Sequence, residues 1–157
     1  MADRSGQKWE RPLRPRNWIG KLTDSLRQQK QRRTLSHDAA LGRRGEDLAH
    51  RYLQRAGFQV VARNYRPGPD SEIDLVARDG NITVFIEVKS RATAEFGDPG
   101  RAIDGEKQKH IVRAAHSWAT RAGTGWDRVR FDVISIVFTE PPSIRHDRDA
   151  FFAGRAR

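Results

Sequence analysis

The sequence contains no cysteine and no long apolar run. Because there is no thiol, disulfide bonds, thiolate zinc sites and cysteine nucleophiles are all excluded. A membrane-spanning helix needs about 20 consecutive, mostly apolar residues, and no segment approaches that length. The N-terminus is rich in arginine and lacks the apolar region of a secretory signal. We therefore expect a cytoplasmic protein with no membrane partner.

Sequence motifs of several other functional classes are also missing. The chain has no Gly-x-x-x-x-Gly-Lys-Ser/Thr loop for nucleoside triphosphates and no Gly-x-Ser-x-Gly elbow of a serine hydrolase. Its five histidines include no pair at the close spacing of zinc ligands. The chemistry must therefore come from other residues.

Apolar residues make up only 36% of the 157 residues, which is little for a chain that is compact throughout. The first part of the chain, with its prolines and scattered arginines, offers little to bury. We predict a basic, flexible N-terminal extension over residues 1–35, a single domain over residues 36–139 and a C-terminal tail over residues 140–157.

Positive charge is concentrated at the N-terminal end. The chain carries a net charge of +10; residues 1–36 hold ten Lys or Arg against three acids, and residues 37–157 hold twenty against seventeen. A basic protein attracts polyanions, of which nucleic acid is the commonest, although a basic extension can also serve solubility alone. The many acids of the domain indicate that it is not only a phosphate binder.

Hydrophobic periodicity and turn residues predict the order helix, three strands, helix, strand. The first helix is capped by Ser36 or Asp38 and ends near Ala56; the second spans about residues 104–122, with Ile111, Ala115 and Trp118 on one face. The strands are predicted at residues 58–66, 72–78, 82–90 and 129–138. Three strands in a meander and a fourth reached through a helix predict an α/β fold: an α-β-β-β-α-β sandwich with a mixed central sheet flanked by helices.

The second and third strands turn at Asp79-Gly80-Asn81, a strong hairpin signal. If Asp79-Gly80 is the loop, Glu72 lies opposite Glu87; if Gly80-Asn81 is the loop, Asp74 lies opposite Glu87. In both registers four charged side chains share one face: Glu72, Asp74, Glu87 and Lys89. The opposite face of the second strand is apolar: Ile73, Leu75 and Ala77.

Three carboxylates on one patch repel each other, and Lys89 offsets only part of that repulsion. A divalent cation would offset more, because Mg²⁺ prefers a few carboxylate oxygens and keeps several waters. A bound ion can lower the pKa of a water and stabilise charge on a phosphate. The pattern therefore favours a Mg²⁺ or Mn²⁺ site, although a strand pair with one solvated, charged face would look the same.

A further acid, Glu46, falls on or beside the buried face of the first helix, where a glutamate is costly unless it is paired or bound to metal. Gly42 and Gly45 beside it would let the helix approach the sheet closely. We therefore include Glu46 as an additional candidate metal ligand.

The segments Gly42–Ala49, Ser71–Gly80 and Phe85–Arg91 together resemble the bacterial YraN family of uncharacterised proteins. Shorter matches occur in the same order: Arg63-Asn64-Tyr65, Phe96-Gly97-x-Pro99, Ala102, Lys107 and Arg130-Phe131-Asp132. The resemblance covers about residues 36–138. One departure is Ser71, which stands where the family usually has glycine before Glu-Ile-Asp.

The YraN family is similar to the restriction-endonuclease-like PD-(D/E)XK fold, which Holliday-junction resolvases share. The resemblance implies that Asp74 and Glu87 are metal ligands and that Lys89 is the catalytic lysine, with Glu46 as the helix glutamate that completes the site. It implies a nuclease that acts on DNA, with branched or processed structures among the candidate substrates. The family has no settled activity, so the fold follows more directly than the reaction.

Three functions stay open at this point. The first is a Mg²⁺- or Mn²⁺-dependent nuclease, with DNA favoured over RNA as the partner. The second is a nucleic-acid-binding module with little or no cleavage, and the third is an adaptor that uses the apolar side chains Ile19, Leu22, Leu26, Phe151 and Phe152. Candidate nucleic-acid contacts are Lys107, Lys109 and Arg91, the first two because they stand at a helix N-terminus. A homodimer is left open.

Overall fold

A mixed β-sheet with helices packed on it forms the core of the protein in the computed structural model, which describes residues 18–93 and 103–151, with side chains from residue 30 onward. The helices are α1 (Trp18–Arg55) and α2 (Gly105–Ala122), and a short 3-10 helix spans Trp126–Arg128. The strands are β1 (Gln59–Gly68), β2 (Ser71–Asp79), β3 (Ile82–Arg91), β4 (Val129–Val137) and β5 (Ser143–Asp147).

Within the described residues the sheet has the order β1-β2-β3-β4-β5. All neighbouring strands are antiparallel except β3 and β4, which α2 connects in parallel. The predicted α-β-β-β-α-β order and the mixed sheet are therefore confirmed.

The two ends of this arrangement differ from what was predicted. The helix α1 begins at Trp18 rather than at a cap on Ser36 or Asp38, because the intervening residues contain no proline and many good helix formers. The strand β5 was not predicted, because its sequence, Ser-Ile-Arg-His-Asp, is polar and short. It is an edge strand that pairs with β4, with Ile136 opposite Ile144.

The core has two layers, one on each face of the sheet. On β3, Val84 and Ile86 pack with the α1 residues Ala49 and Leu53, whereas Phe85 between them packs against α2. The helix α2 contributes Ile111, Ala114 and Ala115, with Trp118 packed against them, as its periodicity predicts. Alternating strand residues thus hold a helix against each face.

Close approach of α1 to the sheet depends on Gly45. A Cβ atom at this position would fall inside the Ser90 side chain, so only glycine fits there without movement. The prediction for Gly42 is wrong, because a Cβ atom there meets nothing. Gly45 precedes Glu46, so this contact fixes where that glutamate lies relative to β3.

The chain divides into two units, residues 1–36 and residues 37–157. In the first unit, residues 18–36 are described and are helical. The second unit contains the sheet, α2 and the remainder of α1. Phe151 packs there against Phe131, with the ring centroids 5.0 Å apart, whereas Phe152 and the side chains of Ile19, Leu22 and Leu26 lie outside the described set. None of the described helices has the length and apolarity that crossing a bilayer requires.

Candidate functional site

The site lies where β2 and β3 separate. The hairpin uses Gly80-Asn81 as its two-residue loop, with Asp79 paired to Ile82, and Gly80 has the positive φ of 60° that the first position of a type II′ turn needs. The ladder runs to the pair Leu75–Ile86, so Asp74 and Glu87 come next in register. This is the second of the two registers that the sequence allowed.

At the end of the ladder a carboxylate replaces a backbone acceptor. The amide of Val88 donates to Oδ2 of Asp74 over 2.7 Å. Because this bond holds the Asp74 side chain between the two strands, the carboxylate is fixed beside Glu87. The pairing therefore ends at the two acids that the sequence analysis selected.

One prediction about this hairpin is wrong: Ile73 does not share a face with Leu75. Leu75 packs in the α1 layer and Ile73 packs in the α2 layer. The cause lies in the paired strand β1, where Asn64 has a left-handed φ of 49°. The strand turns there, so Tyr65, which pairs with Ile73, faces α2.

Burial dominates the electrostatics of the two acids. Burial, and then the charge of Glu87, raise the pKa of Asp74 to about 7. Burial also raises the pKa of Glu87, although Lys107 and Lys89 act against it. At neutral pH, ionising both carboxylates in this position costs free energy, so the site favours a bound cation.

Lys107, in the first turn of α2, supplies one positive charge. Its Nζ lies 3.3 Å from Oε2 of Glu87, whose side chain is only 12% exposed. The same buried oxygen has no hydrogen bond within the described structure, so the contact is an ion pair without hydrogen-bond geometry. Lys107, which the sequence analysis gave as a candidate nucleic-acid contact, is thus paired with the carboxylate in this structure.

Glu46 lies near the pair and is held by β1. Its Oε2 accepts a hydrogen bond from Nδ2 of Asn64 over 3.1 Å, and Arg63 Nη2 lies 3.9 Å away. The charge of Glu46 contributes to the raised pKa of Asp74. The helix glutamate therefore interacts with the site through space, while its own carboxylate is bound by an asparagine.

A hard divalent cation fits this donor set. Across residues 30–93 and 103–151, no three His, Asp or Glu side chains converge into a ready-made metal group. Mg²⁺ needs no such group, because it is commonly held by one or two carboxylates and keeps its remaining waters. Asp74 and Glu87, with the unsatisfied Oε2, provide those two carboxylates; Glu46 stands outside them as the chain is arranged.

The other predicted residues are placed as follows. Lys89 is half-buried on β3, and its charge lowers the pKa of Glu87, so it acts on the same site. Lys109 forms an ion pair of 2.8 Å with Glu106 on the surface of α2. Arg91 is half-buried at the end of β3. Glu72, predicted in the same patch, instead pairs with Arg66 over 2.6 Å.

Sequence reasoning missed a buried polar cluster under β5. Asp132, which is fully buried, accepts hydrogen bonds from Arg130 and from the Asp149 amide, and His146 Nε2 lies 2.9 Å from its Oδ2. Burial alone would raise the pKa of Asp132, but its bonds to His146 and Arg130 lower it. His146 Nδ1 also meets the Tyr52 hydroxyl at 3.4 Å. Arg130 and Asp132 stand in one of the short motifs of the resemblance, but no local spacing connects them with His146 and Tyr52, which are distant in sequence.

Comparison with known proteins matches this sequence to one family. Residues 45–136 match the family model described as "Uncharacterised protein family UPF0102". The chain is 48% identical over 111 residues to a UPF0102 protein of Solibacter usitatus, a match that covers 70% of this chain and 84% of that protein. It is 44% identical over 119 residues to a UPF0102 protein of Rhodococcus jostii, with 74% and 100% covered. A UPF0102 protein of Geobacter sulfurreducens is 46% identical over 117 residues, with 73% and 91% covered.

The matched region includes Glu46, Asp74, Glu87 and Lys89. The shorter motif matches at residues 96–99 and at Ala102 lie outside the described residues.

Proposed function

The chain belongs to the uncharacterised protein family UPF0102, the YraN family that its motifs indicated, and on that premise we propose that it is a metal-dependent nuclease that hydrolyses phosphodiester bonds in DNA. Branched or processed DNA is the substrate class that the resemblance to Holliday-junction resolvases favours. The proposal includes Mg²⁺ or Mn²⁺ as the cofactor and the cytoplasm as the place of action.

One observation carries the proposal: the separation of β2 from β3 at Asp74 and Glu87. Two carboxylates that are mostly shielded from solvent and have raised pKa values lie side by side, and the buried Oε2 of Glu87 lacks a hydrogen bond. A purely structural patch of this kind would be costly, since burying like charges destabilises a fold. Acidic side chains with strongly shifted pKa values are typical of a functional site.

Each residue then has a chemical role. Asp74 and Glu87 would hold the cation, and the bond from the Val88 amide orients Asp74 for that purpose. The cation, when bound, would make a water more acidic and offset charge on the phosphate. Lys89 follows Glu87 by two residues on the same strand, so its ammonium would stabilise negative charge on the phosphate or orient the water. Glu46 would orient waters near the cation.

The test is cleavage of DNA by the purified full-length chain. Single-stranded, duplex and four-way-junction DNA, and RNA of the same sequence, are incubated with Mg²⁺, Mn²⁺ or EDTA. We expect cleavage with metal only, reduced about 100-fold or more in Asp74→Asn and in Lys89→Met. Asp147→Asn and Arg121→Met are controls, because Asp147 lies in a surface ion pair and Arg121 is exposed in the last turn of α2; both variants should keep full activity. Cleavage that survives both site variants would refute the proposal.

A nucleic-acid-binding module is the second candidate, and the Lys107–Glu87 ion pair favours it. In this arrangement the ammonium of Lys107 already neutralises the Glu87 carboxylate, and Asn64 donates a hydrogen bond to Glu46. A protein that only binds would need no metal there. Binding to DNA at low salt without cleavage under any metal would support the module, and absence of binding as well would leave the adaptor.

A further inference from the structure

A cleft of about 440 Å³ lies beside the paired carboxylates, between the β1–β2 turn and the first turns of α2. Its charged or ionisable lining side chains are Arg66, Asp70, Glu72, Lys107 and His110. Lys107 therefore contacts both sites: its ammonium is paired with Glu87, and its side chain lines the cleft.

The two long basic side chains of the cleft are both paired with acids of the protein. Arg66 Nη2 lies 2.6 Å from Oε1 of Glu72, and Lys107 is held by Glu87. A phosphate would therefore have to compete with these acids for the two cations. If another cation bound one of these acids, the basic side chain now paired with that acid would be left to interact with a phosphate in the cleft.

The Lys107–Glu87 pair is the contact more suited to such an exchange. Its two atoms lie 3.3 Å apart, whereas those of the Arg66–Glu72 hydrogen bond lie 2.6 Å apart. The Lys107 backbone is fixed, because its amide donates to Oδ1 of the N-cap Asp104 over 2.8 Å. Its side chain is 37% exposed and has a flexible four-carbon stem, so the ammonium can turn while α2 stays in place.

We infer that Lys107 couples metal binding to phosphate binding, an inference that rests on the proposed metal site. Without metal, Lys107 neutralises Glu87; when a divalent cation is bound by Glu87, the ammonium turns into the cleft and, with Arg66, contacts a phosphate of the nucleic acid. Lys107 thus competes with the cation for Glu87 and is a substrate contact only in the metal-bound state. By linkage, the nucleic acid must strengthen metal binding in turn.

The first test measures metal binding without any reaction. Mn²⁺ is titrated calorimetrically into the full-length chain at pH 8 for wild type, Lys107→Met and the control Lys109→Met. Because Lys107 competes for Glu87, we expect Lys107→Met to bind Mn²⁺ about fivefold more tightly or better, the lower range of coupling between sites. Lys109→Met should bind it as wild type does. Equal or weaker affinity in Lys107→Met would overturn the inference.

The second test measures DNA binding in two states. The anisotropy of a fluorescein-labelled duplex is followed against salt concentration in Ca²⁺, a hard cation with the same oxygen ligands, and in EDTA. One phosphate contact contributes about 0.9 to the slope of log affinity against log salt. We expect Lys107→Met to lower the slope by about that amount in Ca²⁺ and to leave it unchanged in EDTA. An equal reduction in both buffers, or none in Ca²⁺, would contradict the coupling.

Two controls distinguish the loss of the lysine charge from a loss of folding. Lys107→Arg keeps the charge and should restore the metal-dependent slope, while thermal unfolding of each variant verifies that it is folded. If wild type binds no Mn²⁺, the proposed function fails and the coupling fails with it. If wild type binds Mn²⁺ and Lys107→Met changes neither affinity nor slope, the coupling alone fails.

Discussion

Replacing Asp74 with asparagine should stabilise the protein at alkaline pH, because the buried acid costs free energy when it ionises. The introduced amide keeps an oxygen that can accept the hydrogen bond from the Val88 amide, so the geometry of the site is retained. The change removes only the charge. The expected gain therefore measures how unfavourable the ionised carboxylate is in this position.

The sign of the pH dependence follows from the direction of the shift. Burial and the charge of Glu87 raise the pKa of Asp74 from 3.8 to about 7. Between these values the folded state binds more protons than the unfolded state, so the free energy of unfolding of wild type falls as pH rises. The penalty from ionising Asp74 is absent below the lower of these two pKa values and is complete above the higher one.

The magnitude has a ceiling of about 4 kcal/mol, at 1.36 kcal/mol for each pKa unit between the two values. The gain is smaller than this ceiling, because the surroundings of Glu87 adjust when its neighbour loses its charge and because the amide group of the variant must itself be buried. We therefore expect the free energy of unfolding of Asp74→Asn to be about 1–3 kcal/mol higher than that of wild type at pH 8 and equal to it near pH 4.

Urea unfolding followed by circular dichroism between pH 4 and pH 8, in EDTA, gives this difference directly. Asp147→Asn removes an acid paired with Arg145 on the edge strand and serves as the control. Added Mg²⁺ at about 1,000 times its Kd should reverse the ranking, because at that concentration it stabilises wild type by about 4.1 kcal/mol and the variant much less. A variant less stable than wild type at pH 8 without metal would refute the reasoning.

Three further predictions concern packing, the buried cluster and the N-terminal extension. Gly45→Ala should lower the free energy of unfolding by about 1–3 kcal/mol, since the added methyl meets Ser90, whereas Gly42→Ala should be neutral or stabilising by urea unfolding; equal effects would contradict the packing argument. Asp132→Ala should lower the free energy of unfolding by about 3–5 kcal/mol, because it leaves Arg130 and His146 without their buried partner. Since the pKa of Asp132 is lowered, the stability that Asp132 contributes is present above about pH 4 and is lost as the pH falls further. Acid unfolding of wild type and variant would reveal this difference. Removing residues 1–35, which carry most of the excess positive charge, should reduce the salt dependence of DNA binding, and an unchanged slope would exclude these residues as phosphate contacts.

The element order could be predicted from the sequence because its signals are local. Alternation identified β2 and β3, the Asp-Gly-Asn turn joined them, and α2 begins next to the predicted start at Asp104. The helix α1 was predicted too short and β5 was not predicted, because helix propensity continues through residues 18–36 and because β5 is polar. An edge strand paired on only one side needs fewer apolar residues than a central strand, so its pattern is weak.

The candidate site was predictable in part for the same reason. The parity of a two-residue hairpin places Asp74 and Glu87 together whichever loop forms, and only the loop itself had to be observed. The positions of Lys107 and Asn64 could not be obtained in this way. Each reaches the site from another element, and the face change at Asn64 depends on one residue with a positive φ.

The sequence by itself determined the order of the elements up to β4, the paired acids and the lysine that follows them on β3, because residue spacing along a strand decides which side chains share a face. Only the tertiary structure decided what surrounds those acids: the Val88 amide on Asp74, the Lys107 ammonium on Glu87 and the Asn64 amide on Glu46. The physical reason is that burial and charge depend on distances between separate elements. Those distances are set when the helices pack on the sheet, and they control the pKa values on which the proposed chemistry depends.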